Sequence, residues 1–453
     1  MHPLGDTESI QHFRSIDRRI VIPALISRSA HTLLTPAPMA KSNFTPLLAV
    51  AIVSVVVFLY STHKTRETWR KLPEHIGLGD RLFREQSDYT RNGSMGRKPP
   101  DPSFANWNPK PNFTKGSPKS GGYNYSTTLV VATVKEESTR WMEEHLPADI
   151  QRSIWVADDP TAPLHPPKNK GHEVMIYLSW IIDNYDDLPD IALFLHAHQH
   201  TWHNDDILGH DAAAMIKRLN RARVWREGYV NLRCSWFPGC PEWMHPGETK
   251  FNGNKQEELF LSKSWSELFP LDRVPDVLAQ PCSAQFALSR ERILAKPHAQ
   301  YIWYREWLFN TKMPDNVSGR VWEYMWQFVF TGHNVFCPKE QVCYCEQYGS
   351  CFGGEKEYEA FAELKQELYD RENDLRRWED MGNKIREALE KNETEEAEKL
   401  ERPEWGKDVE YKIEIDRLRP IVEKLKDEAV QRGKSPQNRA RELGREWKEG
   451  DGF

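Results

Sequence analysis

A chain of 453 residues with a mean hydropathy of −0.71 and 28% charged side chains has room for one large core or two ordinary domains, and leaves much of its length in water. A net charge of −6 excludes a global basic footprint, so overall electrostatics give a nucleic-acid partner no support. The tryptophans concentrate between Trp141 and Trp326, which indicates a large aromatic core or a cleft that stacks flat ligands such as sugars or bases.

Residues 1–41 carry no fold signal, and Met39 reads as an alternative start. The uncharged run 42–62, SNFTPLLAVAIVSVVVFLYST, has the length and apolarity of a single membrane-spanning helix. No small-residue cleavage pattern follows it, so it reads as an uncleaved anchor. Two signals conflict over topology. Lys64, Arg66, Arg70 and Lys71 after the run outnumber Arg28 and Lys41 before it, which by the positive-inside rule places the remainder in the cytosol. The N-x-S/T sequons at Asn92, Asn112, Asn124, Asn316 and Asn392 favour a lumenal remainder, and the cysteines side with them. The expectation is a single-pass protein of the Golgi or endoplasmic reticulum, glycosylated and disulfide-bonded.

Residues 63–126 read as a disordered stem, too polar and proline-broken to pack. From Thr127 the texture changes. TTLVVATV, SIWVADD, IALFL and GYVNLRCSW read as strands, while EVMIYLSWIIDNY and DAAAMIKRLNRA read as helices. Strands without polar alternation, separated by helices, predict an α/β domain over 127–352 with a mostly parallel sheet covered on both faces. Residues 353–453 read as a charged helical hairpin, coiled-coil-like. One apolar stripe runs through Phe361, Leu364, Leu368 and Leu375, and a second through Ile415, Leu418, Val422 and Leu425. That hairpin is assigned packing or oligomerisation and no chemistry.

If IALFL is a buried parallel strand, His196, His198 and His200 follow at its carboxyl end, the edge at which open α/β sheets bind ligands, and alternate positions place them on one face. Imidazole suits Mn²⁺ or Zn²⁺, so these three are the candidate metal ligands. Glu136 and Glu137 end the first strand, and Asp158 and Asp159 end the second, suited to ribose hydroxyls or a shared cation. PPKNKGHE supplies a glycine turn, a helix start with Glu173 in its first turn, and Lys168 and Lys170 within reach of a diphosphate. The acidic stretch around Asp186, Asp187 and Asp190 falls at the opposite edge and reads as an ordinary turn. SAQFALSRERI is a strand running into a helix at Arg290. SGRVWEYMWQFVF is read as one helix with Arg320, Glu323 and Gln327 on a polar face.

Cys234, Cys240, Cys337, Cys343, Cys345 and Cys351 are the disulfide candidates, because C-x-C without a second C-x-x-C is a poor zinc signature. The last four, clustered in CPKEQVCYCEQYGSC, are expected to form two bridges among themselves. Cys282 is left over as a core thiol.

NKGHEVMIYLSWIIDNYDDLPDIALFLHAH, SAQFALSRERI, SGRVWEYMWQFVF and CYCEQYGSC together resemble the fungal family catalogued as domain of unknown function 3431, over about Thr127 to Cys351. Part of that family is associated with arginine-containing cyclodipeptide synthases, which join amino acids delivered on tRNA. A looser similarity is to the GT-A glycosyltransferases. It implies an anchored enzyme that uses a nucleotide-activated donor, although the usual acidic metal motif is replaced here by His196-Ala197-His198. Under that resemblance Glu323, with Arg320 beside it, is the catalytic base, Asp158 takes the ribose, and the histidines hold the cation. The alternatives are a synthase-like aminoacyl transferase acting on tRNA and a non-enzymatic binding protein whose helical tail recruits partners.

Overall fold

A computed structural model describes residues 111 and 113–453 apart from Ser283. The N-terminal tail, the span read at 42–62 and most of the segment read as a stem lie outside the described residues. Among the described residues no helix is long and apolar enough to cross a membrane. Residues 113–126 have no helix or strand, yet they lie on the domain: Gly116 N donates to Arg226 O at 2.7 Å, and Tyr125 is buried.

The sheet is built from β1 (Thr127–Thr133), β2 (Ile150–Val156), β3 (Ile191–His196), β4 (Tyr229–Asn231) and β5 (Phe286–Ser289), in the order β2-β1-β3-β5-β4. β1 pairs in parallel with β2 and β3, placing Thr127 opposite Ile150 and Ile191. β5 runs antiparallel to both of its neighbours, with Phe286 opposite Phe194 and Asn231. The sheet is therefore mixed, which corrects the expectation of a mostly parallel one. Unbroken apolar strands report that both faces are covered, not which way each strand runs. Here the chain leaves β4 on a long excursion and returns between β3 and β4 from the opposite end.

The covering of both faces is as expected. Leu129, Val131, Leu193 and Leu195 face one core, packed by α1 (Trp141–His145), α3 (Ala212–Arg218) and α4 (Arg221–Glu227). Val130, Ala192, Phe194 and Phe286 face the other, packed by α2 (Glu173–Asp183), α5 (Glu258–Leu268), α7 (His298–Asn310), α8 (Asp315–Glu323) and α9 (Trp326–Thr331). α6 (Arg290–Leu294) follows directly from β5. Alternation along each strand thus feeds two separate cores, at about 25 cal/mol per Å² of apolar surface removed from water.

Two predicted helices break. DAAAMIKRLNRA divides at Leu219–Asn220, where the Asn220 side chain caps α4 by accepting from Ala222 N and Arg223 N. SGRVWEYMWQFVF divides at Tyr324–Met325, so Gln327 does not share a face with Arg320 and Glu323. It is fully buried and donates its amide to Tyr324 O and Asn334 O.

The tail forms α11 (Glu355–Glu390), α12 (Thr394–Lys399), α13 (Lys407–Arg432) and α14 (Pro436–Glu442), following α10 (Glu340–Tyr348). Its apolar stripes meet as expected and continue into the first core through Tyr358, Phe361 and Leu418. Lys365 Nζ, on α11, lies 2.6 Å from Asp206 Oδ2 in the histidine loop, so the hairpin grips the α/β domain.

Three disulfides are present: Cys234–Cys343, Cys240–Cys337 and Cys345–Cys351. All six candidates pair, and Cys282 is free and buried. The expectation of two bridges within the last four is corrected. Only Cys345 and Cys351 pair locally, while Cys337 and Cys343 reach back to the loop after β4.

Candidate active site

Three independent pieces of chain reach the carboxyl edge of β3. The chain leaves β3 there as the histidine loop. α2 begins there, after β2. The residues leading into antiparallel β5 arrive there, and the buried Gln285 fastens two of these pieces together: its Oε1 accepts from His196 N at 3.2 Å, and its Nε2 donates to Asn204 Oδ1 at 2.9 Å.

His196 is turned inward. Its Nε2 is buried with no hydrogen-bond partner, and burial, followed by the neighbouring His203, His198 and His172, lowers its pKa to about 3. The His203 ring lies 4.9 Å from that of His196. Burial, reinforced by Arg233 and His198, lowers the His203 pKa to about 4, so both imidazoles are neutral at physiological pH.

A carboxyl group sits on each side of the α2–α8 junction. Glu323, at the end of α8, has its pKa raised to about 7, first by burial and then by Glu257, with Arg320 opposing. Glu173, at the start of α2, is raised to about 8 by burial and by the charges of Glu323 and Asp315. Glu257 is likewise raised by burial, against the opposing charges of Arg320, at 3.8 Å, and Lys255. Cys282 lies in the field of Glu323, and burial pushes its thiol up to about 12, so it remains protonated and inert.

His172 joins the two halves. It has a backbone φ of +53° and ψ of −126°, a conformation L residues rarely adopt. Its ring packs on Gly319 of α8, where a Cβ would lie 2.7 Å from His172 Cδ2.

The other predicted site residues divide. Glu137 lies 3.5 Å from His198 Nε2, and Asp158 and Asp159 converge on Lys135, through its N–H at 2.8 Å and its Nζ at 3.1 Å respectively. The Thr161 hydroxyl and N–H hold Asp159 at about 2. Glu136 and His200 are exposed, and His200 forms a single β-bridge with Asp211. Lys168 Nζ donates to Phe309 O at 3.3 Å, and Lys170 Nζ donates to Met313 O, so both fasten the loop before α2 to the α7–α8 connection.

His196, His198 and His200 are not brought together as three ligands. Among the described residues the one set of three candidate ligand atoms lying within 4.8 Å of one another is Cys345, Cys351 and Glu442, and its two sulfurs are bonded to each other. The imidazole pair the fold does assemble is His196 with His203. Sequence reasoning missed His203, His172, Glu173, Glu257 and Arg233 as site residues. For His203 the signal was present, since it lies in the same loop as the other three. For Glu173 and His172 the helix start masked it, because a capping role accounts for both residues equally well.

No curated protein and no solved structure matches the chain. Residues 129–346, nearly all of the α/β part, match one family model, described as "Protein of unknown function (DUF3431)".

Proposed function

We propose that the chain is a transferase that moves a group from a nucleotide-activated donor to a hydroxyl acceptor at the carboxyl edge of β3. The observation that carries this reading is Glu323, a carboxyl whose pKa near 7 makes it an effective proton acceptor at physiological pH, beside Arg320 and Glu257. Glu323 takes the acceptor's proton as the acceptor oxygen bonds to the donor carbon. The donor's bond to its diphosphate breaks, and the electron pair leaves with the phosphate oxygen. Arg233 and the neutral imidazoles of His196 and His203 supply N–H donors toward the departing anion. A divalent cation such as Mn²⁺ or Zn²⁺ would be held by His196 and His203 in place of those N–H donors and would supply the same charge neutralisation.

The three disulfides support a lumenal location, and so do the exposed sequons at Asn124, Asn316 and Asn392. They weigh against an aminoacyl transferase that draws on cytosolic tRNA. The test is to incubate the full chain with nucleoside diphosphate sugars and a panel of glycan acceptors while following nucleotide release. Acceptor-dependent release that falls roughly 100-fold or more in Glu323→Gln supports the reading. Release that is absent, or indifferent to Glu323, overturns it.

A further inference from the structure

Beside the site, two large aromatic side chains stand in solvent: Trp202 is 55% exposed and Phe237 75% exposed. Folding ordinarily hides such rings, and a lone exposed aromatic calls for no explanation. These two differ because the chain is braced to keep them out. The segment CSWFPGC is fixed at both ends by the disulfides Cys234–Cys343 and Cys240–Cys337. Between them, Trp236 Nε1 donates to Pro338 O at 2.7 Å. Gly239, at φ +129°, lies so close to the segment opposite that a Cβ would meet Gln280 O at 1.9 Å. One buried guanidinium then ties both aromatic positions together, since Arg233 donates to Trp202 O at 3.2 Å and to Phe237 O at 2.8 Å. The Trp202 ring lies 4.0 Å from the His203 ring at 32°, so this surface is continuous with the imidazole pair.

We infer that Trp202 and Phe237 form a preorganised stacking platform for the acceptor, and that the acceptor is an uncharged saccharide; this rests on the transferase reading above. Exposed rings on a braced backbone give contact area at a small ordering cost on binding, and a pyranose presents a flat C–H face that suits them. The surroundings select against the charged alternative. Glu323, Glu257 and Glu173 crowd the same edge: Glu323, ionised above about pH 7, opposes a polyanionic acceptor, and Glu173, which keeps its proton to about pH 8, can both donate to and accept from sugar hydroxyls. The platform lies on the His203 side of the edge, leaving the strand ends around Lys135 and Asp158 to the donor.

The test is equilibrium binding of chitotriose, mannotriose and cellotriose to the full chain, measured by saturation-transfer NMR and calorimetry with no donor present. At least one binds, Trp202→Ala and Phe237→Ala each weaken it about tenfold, and Trp202→Phe retains most of the affinity. Unchanged thermal midpoints show that the fold is intact, as expected for exposed side chains. Binding of none of the three, or binding indifferent to both alanine variants, overturns the inference. So does the converse pattern, in which the variants weaken uridine diphosphate and spare the saccharide. Saccharide binding with no Glu323-dependent nucleotide release would leave the platform standing and remove the transferase reading.

Discussion

Glu323 adds to burial in raising the proton affinity of Glu173 across the junction of α8 and α2, and burial with Glu257 raises that of Glu323, so two carboxyl groups at one sheet edge hold their protons to pH values of about 7 and about 8. The more weakly held proton belongs to Glu323. Because the base must be ionised, kcat/KM is expected to rise with pH through about 7 and to level above it. At pH 5 it should stand roughly 100-fold below the plateau. A pH–rate profile checks this, and an ascending limb near 4.5 would remove Glu323 from the role.

Glu173 makes a prediction about stability. The folded chain keeps its proton to about pH 8, whereas an unfolded chain releases it near 4.5. Between those values the native state binds more protons than the unfolded one, so this group lowers stability as pH rises. Glu173→Gln has no such proton to lose. Its unfolding midpoint should match the unaltered protein at pH 4.5 and exceed it by a margin that grows up to about pH 8. Urea unfolding across that range checks it, and a margin independent of pH would count against the buried carboxyl.

Gly319→Ala should behave against the usual sign. In a helix, alanine ordinarily adds about 0.5–1 kcal/mol over glycine. Here the new methyl would press on the His172 ring at 2.7 Å and on the Gly171 carbonyl at 3.3 Å. The expected outcome is a loss of about 1–3 kcal/mol, together with displacement of His172 from the site. Chemical denaturation measures the first, and histidine NMR shifts report the second.

Thiol counting tests the bridges. The protein unfolded without reductant should expose one alkylatable cysteine, Cys282, and the native protein none. Cys234–Cys343 closes a separation of 109 residues, so replacing both cysteines by serine should cost about 4 kcal/mol. Peptide mapping that finds Cys337 joined to Cys343 would contradict the observed pairing.

The strands, the buried helix Glu173–Asp183 and the tail stripes were legible because each depends on local apolar spacing. Strand direction was not, because β5 pairs with β3 from far along the chain, and nothing within FALS encodes its orientation. The break at Tyr324 was hidden for a related reason: aromatic residues surround it on both sides, and the period alone reads straight through. Of the site, Glu323 and His196 were reachable as polar residues at the ends of apolar elements. His203 carried a signal in its place among the other loop histidines, but its pairing with His196 and the role of Arg233 come from packing between the histidine loop and the loop after β4. The cysteine partners were obscured by proximity in sequence, which is a poor guide when residues 97 and 109 apart are joined.

The grip of the helical hairpin on the α/β domain bears on how the chain can be divided. The family match ends at residue 346, but Cys345 is bonded to Cys351, and Phe352, Tyr358 and Phe361 complete the aromatic cluster around Tyr344. A fragment cut at the family boundary would carry an orphan thiol and a bare apolar face, and would release Asp206 from Lys365 in the loop that bears the histidines. The stretch that the family model matches is thus shorter than the stretch that packs together. A recombinant design that respects the physics would extend to the end of the second long helix and beyond, to Glu442, which accepts the backbone N–H groups of Phe352 and Gly353.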